Sequence, residues 1–305
     1  MTPSPEAAGR EPAACAVGLD VGGSSLKAGL VLAGGGLAGE AREVPIASQG
    51  GEGAILDDFA SALSPFLGAP GVRGIGIGMP GPFDYERGVS LMRGLTKFDG
   101  IYGLDLGRAL RERLQLADDV RLRFVNDAAA FALGEVRFGA GRGCRRVMAV
   151  TLGTGCGSAF AVDGDVVTGG DGVPPHGYVY CLPYRGGIVD DHLSSRGLAA
   201  LWREVTGSRG DAPDGRALAD AARAGDSGAG ATYREFGART AEALGGVIES
   251  FRPEVLVLGG QISRGFDLFG PSLEAGLAGG STVPLVRPAE HLTSSALLGA
   301  ASLVL

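Results

Sequence analysis

The chain carries one short pattern twice. Near its start, Ala16-Val17-Gly18-Leu19-Asp20-Val21-Gly22-Gly23-Ser24-Ser25-Leu26-Lys27-Ala28-Gly29-Leu30-Val31 reads as an apolar strand, a glycine turn carrying hydroxyls, and a second strand leading away. Half a chain later, Val147-Met148-Ala149-Val150-Thr151-Leu152-Gly153-Thr154-Gly155-Cys156-Gly157-Ser158-Ala159-Phe160-Ala161-Val162 repeats the series, and Gly153 falls on Gly22 when the two are laid together. Either segment alone is an ordinary β-hairpin. Two copies at half-chain spacing predict duplicated lobes facing one nucleotide. Bare glycine amides let Gly22, Gly23, Ser24 and Ser25 wrap phosphate oxygens, because no Cβ blocks the approach. Asp20, at the strand end, is placed to face a metal ion bridging those phosphates, and Lys27 adds positive charge nearby. No G-x-x-x-x-G-K-[ST] loop occurs in the chain, so the pattern is not a Walker A site.

At 305 residues the chain can hold two domains, each with its own core. A formal net charge of −7 argues against nucleic acid as a partner. Cys15, Cys144, Cys156 and Cys181 are scattered without a C-x-x-C pair, which indicates neither a disulfide scaffold nor a cysteine-rich zinc site. No apolar core follows a basic start, so no secretory signal is expected. The longest apolar stretch, Ala296 to Leu305, is well short of the roughly 20 residues of a membrane span. A soluble cytoplasmic protein with no membrane partner is expected.

Residues 1–13 are polar and proline-rich and read as a disordered tail. Apolar spacing predicts a helix over Ile55–Leu67 with a break at Pro65, and a buried strand over Val72–Met79 that ends at Pro80-Gly81-Pro82. Within that strand Gly76-x-Gly78-x-x-Gly81 matches the dinucleotide fingerprint, but Pro80 and Pro82 stand where its helix should begin, and the match is rejected. A helix over Leu104–Leu114 and a strand over Val120–Val125 follow, the strand ending at Asn126-Asp127. Ala128–Phe138 reads as a helix, and Gly169–Arg185 as irregular. Further helices are expected over Leu198–Val205, Leu218–Ala224, Tyr233–Ser250 and Ser294–Leu305, and a buried strand over Val255–Leu258 ends in Gly259-Gly260-Gln261.

The two hairpins together with Asn126-Asp127 resemble the actin-like ATPase fold shared by hexokinases, actin and heat-shock chaperones. Within it they most resemble the ROK family of repressors and sugar kinases. The resemblance implies a two-lobed α/β, ribonuclease H-like fold in which each lobe is a mixed sheet flanked by helices. It implies a small lobe of residues 14–124 with 294–305, a large lobe of 125–293, ATP and Mg²⁺ as cofactors, and the dimer or tetramer common in the family, a homodimer being the simplest. Asp127 is then the general base that takes a proton from a sugar hydroxyl, with Asn126 bonded to a neighbouring hydroxyl. The same Asp, directly before an alanine-rich helix, is also a good N-cap worth about 1 kcal/mol. Asp20 becomes a Mg²⁺ residue acting through water. Gly153, Thr154 and Gly155 bind phosphates, Gly259 and Gly260 lie where adenosine is held, although a glycine pair after a strand is also a common turn, and Gly81 lines the sugar cleft.

The chain departs from the family at the sugar end. The family's G-E-x-x-G-H segment and four-ligand zinc knuckle are replaced by Gly172–Gly197, in which one cysteine and two histidines cannot rebuild a zinc site. Asp190 or Asp191 aligns with the knuckle's sugar-binding Glu, and one of the two can instead cap the helix that follows. His176 is either a replacement sugar ligand or an exposed loop histidine. Lys97 and Asp99 stand where the family presents an Asn to the sugar, which puts glucose itself in doubt. The expected activity is transfer of the γ-phosphate of ATP to a hydroxyl of a sugar or sugar-like polyol: glucose, an amino sugar, a heptose or a cyclitol. The rival expectation is a non-catalytic sugar sensor. A DNA-binding repressor is not expected, since no helix-turn-helix fits before the first glycine turn. Preference for ATP over other nucleotides rests on the family alone.

Overall fold

A computed structural model describes residues 14–305, and the tail expected over 1–13 lies outside the described residues. The chain forms two compact units, one running to Asp127 and including Ala300–Leu305, the other Ala128–Gly299. The divisions fall a few residues later than the lobe boundaries expected at 125 and 294.

In the first unit the hairpin forms as its pattern requires. Strands β1 (Cys15–Val21) and β2 (Ser25–Leu32) pair antiparallel around the glycine turn. Strand β3 (Arg42–Pro45) continues the antiparallel edge, while β4 (Val72–Met79) and β7 (Arg121–Asn126) add parallel strands on the other side, in the order β3-β2-β1-β4-β7. Helix α1 (Glu52–Leu67) buries Ile55, Leu56, Phe59, Ala62 and Leu63 along one face. The small hairpin β5 (Phe83–Asp84) and β6 (Val89–Ser90) leads to α2 (Leu106–Leu114), capped by Asp105, whose carboxylate accepts the Arg108 amide at 2.8 Å.

The second unit repeats the plan. After α3 (Asp127–Phe138), strands β8 (Arg146–Leu152) and β9 (Cys156–Val162) form the second glycine hairpin, with β10 (Asp165–Val167) on its edge. An irregular stretch holds the short hairpin β11 (Pro183–Tyr184) and β12 (Gly187–Ile188). Then come α4 (Val189–His192), α5 (Ser195–Thr206), α6 (Gly215–Arg223), α7 (Ser227–Phe251), β13 (Val255–Gly259), α8 (Phe266–Leu277), β14 (Leu285–Pro288) and α9 (Ser295–Ala301). The sheet order β10-β9-β8-β13-β14 has the same sequence of antiparallel and parallel pairings as the first. In both sheets the glycine turn lies at the carboxyl end of the central strand, beside the carboxyl ends of its parallel neighbours. Open α/β sheets place ligands at that edge.

Several expectations need correction. Pro65 lies inside α1 rather than breaking it, and only Phe66 and Leu67 follow before the helix ends. Helix α7 starts at Ser227, well before Tyr233, because the Asp226 carboxylate accepts the Ala229 amide at 2.7 Å and caps it there. Helix α8 was not expected, since Gly270, Pro271 and Gly276 disguise its periodicity. It is held by close approach: a methyl group at Gly237 of α7 would collide with the Phe269 carbonyl. The last helix ends at Ala301 rather than Leu305. Gly76 of the rejected fingerprint sits in mid-strand, where a Cβ would strike the backbone of Ala300, so its role is packing.

Glu135 in α3 is fully buried. Its carboxylate accepts the amides of Ala140 (2.8 Å), Glu290 (3.0 Å) and His291 (3.0 Å) and the Ser295 hydroxyl (2.5 Å). All four donors aim inward, so Glu135→Gln turns an amide N–H₂ toward donors that need an acceptor. That exchange should cost about 2–3 kcal/mol, read as a lower urea midpoint at unchanged slope.

Candidate active site

In the first unit the turn is drawn tight by the Gly22 amide on the Ser25 carbonyl (2.9 Å). Its carbonyls are tied back from outside, Gly23 by the Ser48 hydroxyl (2.7 Å) and Ser24 by the Ile46 amide (3.1 Å). The amides of Gly23 and Ser24 have no partner among the described residues. Successive open amides in a turn form an anion-binding concavity. The Ser25 hydroxyl is turned away from it and donates to the Glu43 carboxylate at 2.7 Å.

Strand register sets Asp20 opposite Lys27, and Lys27 opposite Glu43, so three alternating charges stand in a row on one face of the sheet. Asp20 is half-buried, and its pKa is pushed up to about 6. Desolvation is the main cause, the nearby Asp127 carboxylate and Glu43 add to it, and Lys27 works against it. Asp127 opens α3 and is exposed, so its carboxylate stands at a helix N-terminus, a position compatible with both the capping and the base reading. Asn126 pairs in register with Met79 at the end of β4. Its Nδ2 donates to the Tyr85 hydroxyl (3.1 Å), which donates to the Met79 carbonyl (3.2 Å). A Cβ on Gly81 would lie 3.2 Å from the same hydroxyl. Tyr85 therefore joins Gly81 to Asn126, and no periodic signal in the sequence marks it. Asp99 folds back to accept the Gly94 amide (2.5 Å), and the exposed Lys97 beside it reaches over Gly23. A separate depression of about 790 Å³ contains Arg87, Arg108, Arg111 and Arg123 and shares only Tyr85 with these residues.

The second unit builds its turn by the same logic with different parts. The Gly153 amide bonds the Gly155 carbonyl (3.0 Å), and the Gly153 carbonyl accepts both the amide (2.7 Å) and the hydroxyl (2.9 Å) of Ser195 at the start of α5. The amides of Thr154 and Gly155 are again without partners among the described residues. The two adjacent acids separate here. Asp190 accepts the Cys156 amide (2.6 Å) and an Arg196 N–H (2.5 Å), bracing the turn. Asp191 accepts the Ile188 amide (3.0 Å) and so caps α4, which with Arg196 holds its pKa below the usual carboxylate range. Burial, with help from Asp190, pushes the Cys156 thiol up to about 12 and keeps it unreactive. His176 is exposed with φ of 59°, its ring 5.8 Å from that of Tyr178.

Gly259 and Gly260 end β13 against the second turn. A Cβ on Gly259 would enter the Phe131 ring of α3, and Gly260, at φ of 83°, lies flat on the backbone of Leu152. Ser195 and Gln261 also line a cavity of about 710 Å³ with Asp214, Arg216, Tyr233 and Gly265, so turn and cavity adjoin. Tyr233, pushed up to about 12 by burial, stays protonated and donates to the Gly215 carbonyl at 2.9 Å. Among the described residues, no three His, Cys, Asp or Glu side chains gather as a metal ion would require.

A sheet plan used twice, each copy with a phosphate-type turn at the carboxyl end of its central strand, defines the two-lobed actin-like class of folds. Within that class the chain belongs to the ROK family, which it matches over residues 16–305. It is 31% identical to a glucokinase of Thermotoga maritima over 280 residues, covering 85% of this chain and 86% of that one. It is 28% identical to an N-acetyl-D-glucosamine kinase of Haemophilus influenzae, covering 76% and 80%. A ROK family glucokinase from Streptomyces griseus, solved with glucose and AMPPNP, superposes with a TM-score of 0.76 at 25% identity, covering 95% and 99%.

The ionised form of Asp20 is disfavoured in the fold, so its charge costs stability above pH 6 and nothing below its ordinary pKa of 3.8. Asp20→Asn should raise stability at pH 7 by the order of 2 kcal/mol, measured by denaturation without nucleotide or divalent cation. Relative to the variant, the wild type should lose stability as pH rises from about 4 to about 6.

Proposed function

We propose that the protein is an ATP-dependent kinase that phosphorylates a hydroxyl of a sugar or sugar-like polyol. The observation that carries this reading is the pair of matched turns, in each of which the carbonyls are engaged and two successive amides are open. In the second unit the cavity beside Gly260 and Gln261 takes the nucleoside, and Thr154 and Gly155 take phosphate oxygens. In the first unit Asn126, held by Tyr85, orients the acceptor. Asp127 accepts the proton of the attacking hydroxyl as the new O–P bond forms, and the bond from the γ-phosphorus to the bridging oxygen breaks with its electron pair leaving on ADP.

Asp20 suits Mg²⁺: a desolvated carboxylate held beside Asp127 is relieved by a cation. Asp20, through water, would hold the ion, which when bound neutralises charge on the phosphate oxygens. The nucleotide and four unpaired cysteines fit a cytoplasmic setting. A sugar sensor that binds without turnover needs no general base, and the retention of Asp20, Lys27 and Asp127 disfavours that alternative. The acceptor class is taken wider than glucose because Lys97 and Asp99 stand where the family presents an Asn to the sugar.

The test is Mg-ATP-dependent ADP release over hexoses, amino sugars, heptoses and cyclitols, with Asp127→Asn in parallel. Turnover with one acceptor should fall about 10²–10⁴-fold in the variant, with nucleotide affinity retained. Tight sugar binding by both proteins, with no ADP released for any acceptor, would replace the kinase by the sensor and leave Asp127 as a helix cap.

A further inference from the structure

Two lysines stand near the first glycine turn, and their surroundings differ. Lys27 is flanked in strand register by Asp20 and Glu43, so its charge already has carboxylates on both sides. Lys97 is exposed and makes no hydrogen bond or ion pair among the described residues, yet it is not splayed into solvent. Its end lies across Gly23: a methyl group there would come within 2.9 Å of Cε and 3.1 Å of Cδ, and would collide with the ammonium itself. The end of the lysine and the bare face of the glycine thus share one space beside the turn.

The loop that presents Lys97 is built to hold it there. Its neighbours Thr96 and Phe98 both take left-handed backbone, at φ of 60° and 61°. Side chains of that kind avoid this region unless the surroundings over-determine it, and such residues gather at ligand sites. Here the determinants are visible. The Phe98 side chain is 1% exposed in the first unit's core, and its amide donates to the Ser48 carbonyl at 2.6 Å. Asp99 closes the loop on the Gly94 amide. Ser48 in turn bonds the Gly23 carbonyl, so the same short segment holds both the turn and the lysine loop.

An ammonium lacking a carboxylate partner, set against two open amides, is the recognition chemistry of a phosphoryl group. The turn also stands at the same sheet edge as Asp127, the group that acts on the attacking oxygen. We therefore propose, resting on the kinase reading, that Lys97 rather than Lys27 supplies the cation for the transferred γ-phosphoryl group. Lys97 gives up no proton in the reaction. It offsets charge on the phosphoryl oxygens as the bond to ADP breaks.

The test compares equilibrium binding of Mg-ATP and Mg-ADP to the wild type, Lys97→Ala and Lys97→Arg, with thermal unfolding to confirm that each folds. It needs no knowledge of the acceptor. Lys97→Ala should weaken Mg-ATP about tenfold, as for loss of a charge-assisted hydrogen bond, and leave Mg-ADP within about twofold, while Lys97→Arg restores most of the difference. A merely structural lysine would move both nucleotides together, so an unchanged ATP-to-ADP ratio in Lys97→Ala overturns the assignment while the kinase reading stands. Failure of the wild type to bind either nucleotide removes the kinase reading and this assignment with it.

Discussion

The arrangement of the second unit depends on one buried carboxylate. Glu135 is sealed from solvent, and a carboxyl group in that position is tolerable only if its oxygens are fully engaged. Three backbone amides and a hydroxyl engage them, and they come from the segment after α3, the segment before α9 and the first residue of α9. The effect is to fix α3 both along its axis and about it. Phe131 then meets Gly259 at the end of β13, Gly134 meets the backbone of Ser295, and the first residue of the same helix is Asp127. Polar saturation at one point thus registers α3 against the end of β13 and the start of α9.

The two turns show how one solution can be reached with unrelated parts. In each, the problem is to present amides outward without leaving carbonyls unsatisfied. In the first unit Ser48 and Ile46, from the segment after β3, bond the carbonyls. In the second, the first residue of α5 does so, and Asp190 adds a brace on the following strand. The repetition lies in the hairpins and the sheet order, and the support around them has no shared sequence. The raised pKa of Asp20, pushed to about 6 mainly by desolvation, belongs with this picture, since perturbed titratable groups cluster at functional sites.

What could be read from the sequence divides along these lines. Both hairpins were legible because apolar strands flank glycines at matching offsets, and Asn126-Asp127 because it follows a strand and precedes an alanine-rich helix. Helix α8 was not legible, since its glycines serve a close helix contact that periodicity does not record. Adjacent Asp190 and Asp191 could not be told apart, for their roles depend on which backbone amides lie in reach, those of Cys156 and Ile188. The position of Lys97 was equally hidden, because it is set by Phe98 entering the core from a loop without secondary structure. Local pattern reveals elements, whereas long-range hydrogen bonds allot roles.

The clasp that joins residues 46–48, the 94–99 loop and Gly23 has a consequence for how this chain can change over generations. The loop has no regular secondary structure, and loops of that kind tolerate sequence change. Yet it shares Ser48 with the first glycine turn, and the end of Lys97 lies in the space beside Gly23. Positions 23, 48 and 98 are therefore linked through Ser48, whereas the flexible end of Lys97 can move aside. They form a unit of inheritance, and a loop transplanted from a relative would arrive without the turn that fits it.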